Sequence, residues 1–247
     1  MRKLHIILPM AGYGSRFAKV GVTTPKPLIP VDGKPMFLKA IASFDKLDTE
    51  KHYTVILRGE HDREHNISAQ IKEVLPEANI VVTDEPATGA LRDAFRAEPY
   101  LQPNEGVLIM DCDIEIGGEA YFDMIKKSLS DESDIAGGLL LFKADNPRYS
   151  YAELDSDDNV VRTAEKVVIS PYAIGGGYYF SSTETFVKGA TAEFEKPLGE
   201  GRPEYYISYV FNTLIEQGGK VRGALGHFTS FGTPEELEAY NQSKNNS

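Results

Sequence analysis

Two glycines follow an apolar run, Leu4-His5-Ile6-Ile7-Leu8-Pro9, in the loop Ala11-Gly12-Tyr13-Gly14-Ser15-Arg16. Without Cβ atoms, Gly12 and Gly14 let backbone N–H groups close on a phosphate. Arg16 ends that loop and Lys26 follows in Pro25-Lys26-Pro27-Leu28, so two cations flank the cradle. A dinucleotide-binding turn would want a third small residue where Phe17 stands, which weighs against a nicotinamide cofactor. Farther on, Asp111 and Asp113 bracket Cys112 behind the apolar run 106–110. On an extended segment two carboxylates one residue apart point the same way and can share a Mg²⁺ ion. Each piece alone has a plainer reading: a tight turn, solvated surface charges, a turn-forming Asp pair. Together they describe chemistry at phosphorus.

These residues need elements to carry them. Residues 4–9, 53–57, 79–82 and 106–110 read as short buried strands. Between them, Met36, Phe37, Ala40, Ile41, Phe44 and Leu47 recur at helical spacing, as do Ile67, Ile71 and Leu75, then Ala90, Leu91, Ala94 and Phe95. Strands alternating with helices imply parallel βα units, whose ligands gather at the strand C-terminal ends. Beyond Ser133 the pattern turns β-rich, with strands expected over 135–142, 151–154, 160–164 and 173–180. Helical spacing returns at Ile207, Val210, Phe211, Leu214 and Ile215, and Gly232-Thr233-Pro234 starts a last helix. The expectation is a single α/β domain with a mixed, mostly parallel sheet flanked by helices, with no internal repeat. Residues 1–115 form one half, 116–235 a β-rich half, and 236–247 a helix end and polar tail.

Length fits one domain. The balance of 26 Lys plus Arg against 37 Asp plus Glu gives a net charge of −11, which argues against nucleic acid or anionic lipid as partners. One cysteine excludes a disulfide framework or a thiolate zinc site and suits a reducing cytoplasm. Cys112 itself reads as buried packing. No apolar run reaches the ~18–20 residues that span a bilayer, and the opening run enters a glycine loop instead of a cleavage site; no membrane association is expected. Five histidines show no spaced metal motif, and His61 and His65 read as solvated.

The segment from Leu8 through Phe17, followed by Pro25-Lys26-Pro27-Leu28-Ile29-Pro30-Val31-Asp32-Gly33-Lys34-Pro35-Met36, resembles the signature of the sugar-1-phosphate nucleotidyltransferases, in a short form without a C-terminal β-helix domain. The resemblance runs on through Glu85-Pro86 to Gly89, Asp111, Glu165-Lys166, Gly175-Gly176 and Gly232-Thr233-Pro234-Glu235. It implies a Rossmann-like, glycosyltransferase A-type fold, a Mg²⁺ cofactor, a nucleoside triphosphate, and a phosphorylated small-molecule acceptor bound by the β-rich half. It also implies roles for particular residues. Ala11, Gly12, Gly14 and Ser15 would hold the triphosphate, with Arg16 and Lys26 on its phosphates. Glu85 would read the base edge, with Gly89 against base or ribose. As a carboxylate Glu85 only accepts hydrogen bonds, which favours cytosine or guanine. Asp111 and Asp113 would hold the metal. Lys166 would face the attacking phosphate, and Glu165, Gly176 and Tyr178 would contact the acceptor. Tyr178 and Tyr179 should split by alternation into one cleft-facing and one buried ring.

One departure stands out: the family's usual second metal Asp, two positions before Gly-Thr-Pro, is Ser230 here. Asp113 is then the expected second carboxylate. The acceptor is a sugar 1-phosphate, or alternatively phosphocholine or another small phosphate. The rival readings are a nucleotide-sugar-dependent glycosyltransferase, which Asp111-x-Asp113 alone would permit, and a binding module that has lost turnover. Members of the family range from monomers to tetramers, so a homo-oligomer stays open.

Overall fold

The computed structural model describes residues 1–86, 88–200 and 202–245; of the expected polar tail, Asn246 and Ser247 lie outside the described residues. In chain order the elements are β1 (Leu4–Met10), α1 (Ser15–Ala18), β2 (Pro30–Val31), β3 (Lys34–Pro35), α2 (Met36–Ala42), β4 (Lys51–Arg58), α3 (Gly59–His65), α4 (Ile67–Val74), β5 (Asn79–Thr83) and α5 (Ala90–Phe95), closing with β6 (Gly106–Met110). There follow β7 (Ile114–Gly117), α6 (Glu119–Leu129), β8 (Ile135–Lys143), β9 (Ser150–Leu154), β10 (Val160–Glu165), β11 (Tyr172–Phe180), α7 (Thr183–Phe194), α8 (Ile207–Glu216), β12 (Lys220–Leu225), β13 (His227–Ser230) and α9 (Pro234–Asn245).

Nine strands make one mixed sheet along the path β10-β9-β11-β6-β1-β4-β5, with β8 on β11 and β12 on β8. The amino-terminal strands β5, β4, β1 and β6 are parallel, whereas β11 runs antiparallel to β6, β8 and β9. Alternation along β1 divides the core between the two faces. Leu4, Ile6, Leu8 and Met10 join Phe37, Ile71, Tyr121 and Ile125 beneath α2, α4 and α6. Ile7 and Ala11 join Leu91, Phe186, Val210 and Phe211 beneath α5, α7 and α8. Burial on both faces is why the parallel strands read as continuous apolar runs.

The expected strands and helices of the first half are present, with one difference. The Met36-to-Leu47 stripe is helical only to Ala42; Phe44 and Leu47 reach the same core through tight turns whose N–H groups bond back three residues. Two helices go beyond the expectation: α6 precedes the β-rich segment that begins after Ser133, and α7 follows its last strand. Phe17, which breaks the dinucleotide pattern, is buried in a third cluster with Ile29, Val31, Met36 and Phe231. That cluster fastens the glycine loop to the start of α9.

Candidate active site

Because β1 and β6 are parallel neighbours, paired from Leu4↔Gly106 to Ile7↔Ile109, their C-terminal ends emerge side by side. The glycine loop therefore lies beside Asp111 and Asp113. Antiparallel β11 brings Gly176 to the same place, since Gly177 pairs with Met110. The result is a cleft of about 240 Å³ lined by Arg16, Asp111, Asp113, Glu165, Gly176 and Tyr178. Six residues expected from sequence thus meet around one space.

Gly14 takes φ +63°, and a Cβ there would come within 3.3 Å of Lys26 Cβ, so the glycine lets the lysine pack against the loop. Lys26 Nζ donates to Asp113 Oδ2 at 3.0 Å. Burial opposes its charge, yet Asp113 outweighs that and holds the ammonium above its ordinary pKa. Gly12 has nothing within 4 Å of where a Cβ would sit and faces open space. Arg16 stands exposed on α1 at the cleft mouth. Ala11 is buried beneath the loop in the second face's core, and Ser15, exposed, opens α1.

The carboxylate pair departs from its expected geometry. Residues 111–113 are not extended: β6 stops at Met110 and the chain turns before β7, so the two side chains reach the cleft from a bend. Asp111 Oδ2 lies 3.1 Å from the vacant Cβ position of Gly176, at φ +70°, and Asp113 Oδ2 lies 2.4 Å from that of Gly232. Both glycines make room for a carboxylate, Gly176 for Asp111 and Gly232 for Asp113. Burial and the Asp113 charge push Asp111 up to about 7 against the pull of Lys26, and no hydrogen bond contributes. A crowded carboxylate with raised proton affinity and hard oxygen donors fits a Mg²⁺ ion. Cys112 is buried, its thiol pushed by burial up to about 12, as packing requires.

Elsewhere on the cleft lining, Glu165 accepts from the hydroxyls of Ser150 and, at 2.9 Å, Ser208. Lys166, at φ +56°, is not on the cleft lining; its Nζ donates to Tyr206 Oη at 2.9 Å, which raises its pKa, and Tyr206 lines the cleft. Tyr178 faces the cleft and Tyr179 is fully buried, as alternation requires. Glu85 and Gly89 are not gathered with the rest. Glu85 bonds Arg96 Nη2 at 2.6 Å, which lowers its pKa, and its neighbour Ala87 lies outside the described residues. Gly89, at φ +114°, would place a Cβ 2.4 Å from Tyr205 O; the glycine lets this loop clasp residues 205–207.

Sequence reasoning missed Arg148 and Glu236, an ion pair lining the cleft. Ser230 Oγ donates to Glu236 Oε2 at 2.9 Å, so a carboxylate stands next to the position where the family's Asp is absent. The sequence signal there, Thr233-x-x-Glu236, reads as a capping box, and Glu236 N does bond Thr233 Oγ1 at 3.2 Å.

Residues 4–225 match the family model described as nucleotidyl transferase. The chain belongs to this family. Over 241 residues it is 24% identical to the low-salt glycan biosynthesis nucleotidyltransferase Agl11 of Haloferax volcanii, covering 96% of this chain and 64% of that protein, so it spans less than two thirds of the relative's length. In fold it is similar to a nucleoside-diphosphate-sugar pyrophosphorylase from Vibrio cholerae RC9, with TM-score 0.82 at 22% identity over 96% of this chain and 99% of that one. It is also similar to the inositol-1-phosphate CTP transferase from T. maritima, with TM-score 0.75 at 17% identity over 97% and 94%. Among the described residues no helix is long and apolar enough to cross a membrane.

Proposed function

We propose that this nucleotidyl transferase family member moves a nucleotidyl group from a nucleoside triphosphate to a sugar 1-phosphate, forming a nucleotide sugar and releasing pyrophosphate. The observation that carries the reading is the convergence of Arg16, the Lys26–Asp113 pair and Asp111 with Glu165 around one cleft. An acceptor phosphate oxygen attacks the α-phosphorus, the bond to the β-phosphate oxygen breaks, and pyrophosphate leaves with the electron pair. No covalent enzyme intermediate is needed, so the protein's task is alignment and charge compensation. The glycine loop's N–H groups hold the triphosphate. Arg16 and Lys26 offset charge on the α-phosphate and the departing group, and Lys166 reaches the acceptor phosphate once released from Tyr206. Glu165, fixed by two hydroxyls on Oε2, accepts from acceptor hydroxyls. Asp111 and Asp113 would hold Mg²⁺, which when bound neutralises triphosphate oxygens.

The base-edge role expected of Glu85 makes CTP and GTP the expected donors, its ion pair to Arg96 competes with that role, and a triphosphate panel decides between them. A small non-sugar phosphate such as phosphocholine is the second acceptor reading, and the inositol-phosphate neighbour makes a non-standard acceptor worth including. The test is a matrix: four triphosphates against sugar 1-phosphates, inositol 1-phosphate and phosphocholine, with Mg²⁺ and pyrophosphate release as readout. Pyrophosphate formed only with a phosphorylated acceptor is expected. Turnover of a nucleotide sugar without pyrophosphate would instead support the glycosyltransferase reading.

A further inference from the structure

At the other end of the sheet, about 20 Å along β1 from the glycine loop, three neighbouring strands place potential metal ligands abreast. His5 on β1 pairs in register with His52 on β4, and Glu105 directly precedes Gly106, which pairs with Leu4 on the far side of β1. The ligand atoms of the three side chains lie within 4.8 Å of one another. His5 Nδ1 is 3.0 Å from Glu105 Oε2, and His52 Nδ1 is 2.5 Å from Oε1. His5 and Glu105 side chains are only 1% and 4% exposed, whereas His52 is 37% exposed and leaves a way in.

A hydrogen bond accounts for His5 Nδ1 on Glu105 Oε2 but not for the rest of the cluster. Glu105 Oε1 is buried without a hydrogen bond of acceptable geometry, although His52 Nδ1 stands so close. That is an oxygen aimed at a neighbour but not aligned with an N–H. The outer nitrogen of His5 is provided for as well, and that of His52 has a carboxylate near it. Imidazole ligands bind metal through one nitrogen and donate from the other to an oxygen acceptor. His5 Nε2 lies 2.8 Å from Thr54 Oγ1, and His52 Nε2 lies 3.6 Å from Glu50 Oε1. The remaining carboxylate oxygen is oriented by Gln102 N–H at 3.1 Å.

We propose that His5, His52 and Glu105 bind one divalent transition ion of the zinc class, with water in the fourth position, linking β4, β1 and the start of β6 away from the catalytic cleft. Two imidazoles and a carboxylate suit zinc in preference to Mg²⁺ or Ca²⁺, which take oxygen ligands. The site is independent of the substrate proposed above. Calorimetric titration of the metal-stripped full chain with Zn²⁺ is expected to show one equivalent bound, and His52→Ala to weaken it at least about tenfold. Asp111→Asn, which removes the oxygen site in the cleft, should leave that equivalent in place. Folding of each variant is checked by circular dichroism. Should His52→Ala not fold, the wild type loaded with Co²⁺ serves instead: intense tetrahedral, nitrogen-ligated visible bands are expected. Zn²⁺ bound equally by wild type and His52→Ala, absence of Zn²⁺ binding by the folded wild type, or a weak all-oxygen Co²⁺ spectrum would each overturn the proposal.

Discussion

Single charges dominate the cleft, so single substitutions should read out sharply. Arg16→Ala or Asp111→Ala is expected to reduce turnover about a hundredfold or more, the scale of losing one positioned electrostatic contact; a loss under threefold in pyrophosphate release would remove either residue from the mechanism. The carboxylate assignments separate in a Mg²⁺ titration. Asp113→Ala should raise the Mg²⁺ concentration for half-maximal activity, because it removes both the proposed oxygen ligand and the partner of Lys26. If that variant is silent while Ser230→Asp tightens Mg²⁺, the second ligand is not Asp113. Glu236 makes the Ser230 test informative, since its Oε2 is already bonded to the serine hydroxyl.

At the scale of elements, the cleft depends on how loops at strand ends are clasped. The loop before α5 holds the segment before α8 through Tyr205 N to Thr88 O at 3.0 Å and Leu91 N to Tyr205 O at 3.1 Å, with Gly89 pressed between them. Gly89→Ala would force a Cβ onto the Tyr205 backbone at positive φ, a cost of about 3 kcal/mol or more. Tyr206, the partner of Lys166, would shift with it. Lower stability in urea together with a raised KM for the phosphorylated acceptor is therefore expected. An unchanged denaturation midpoint would mean that the loop relaxes without cost and that the clasp does not position Tyr206.

For the whole molecule, the buried end of the sheet sets a pH response. Burial, opposed by Glu105, depresses the pKa of His5 in the folded chain, whereas the unfolded histidine takes up its proton near pH ~6.5. Below that pH the unfolded state binds more protons, so this contribution to stability is present above about 6.5 and is lost as pH falls toward the lowered folded value. Urea midpoints measured in chelator should drop from pH 7.5 to 5, and drop less in His5→Gln. Equal drops in the two proteins would exclude His5 as a source of the response.

The primary structure alone determined the alternating βα half, the strand-end placement of the glycine loop and Asp111, and the family resemblance, because these rest on local periodicity and on motifs contiguous in the chain. It did not reveal that 111–113 bends, since an Asp-x-Asp segment suits a strand and a turn alike, nor helices α6 and α7, which flank the expected β-rich strands. Glu236 and Arg148, 88 positions apart, meet only when α9 folds back beside the loop between β8 and β9. His5 and His52, which form no spaced motif in the chain, become neighbours because parallel pairing sets register between distant segments. Contacts of that kind belong to the tertiary structure: the strands that create them are adjacent in space and remote in the chain.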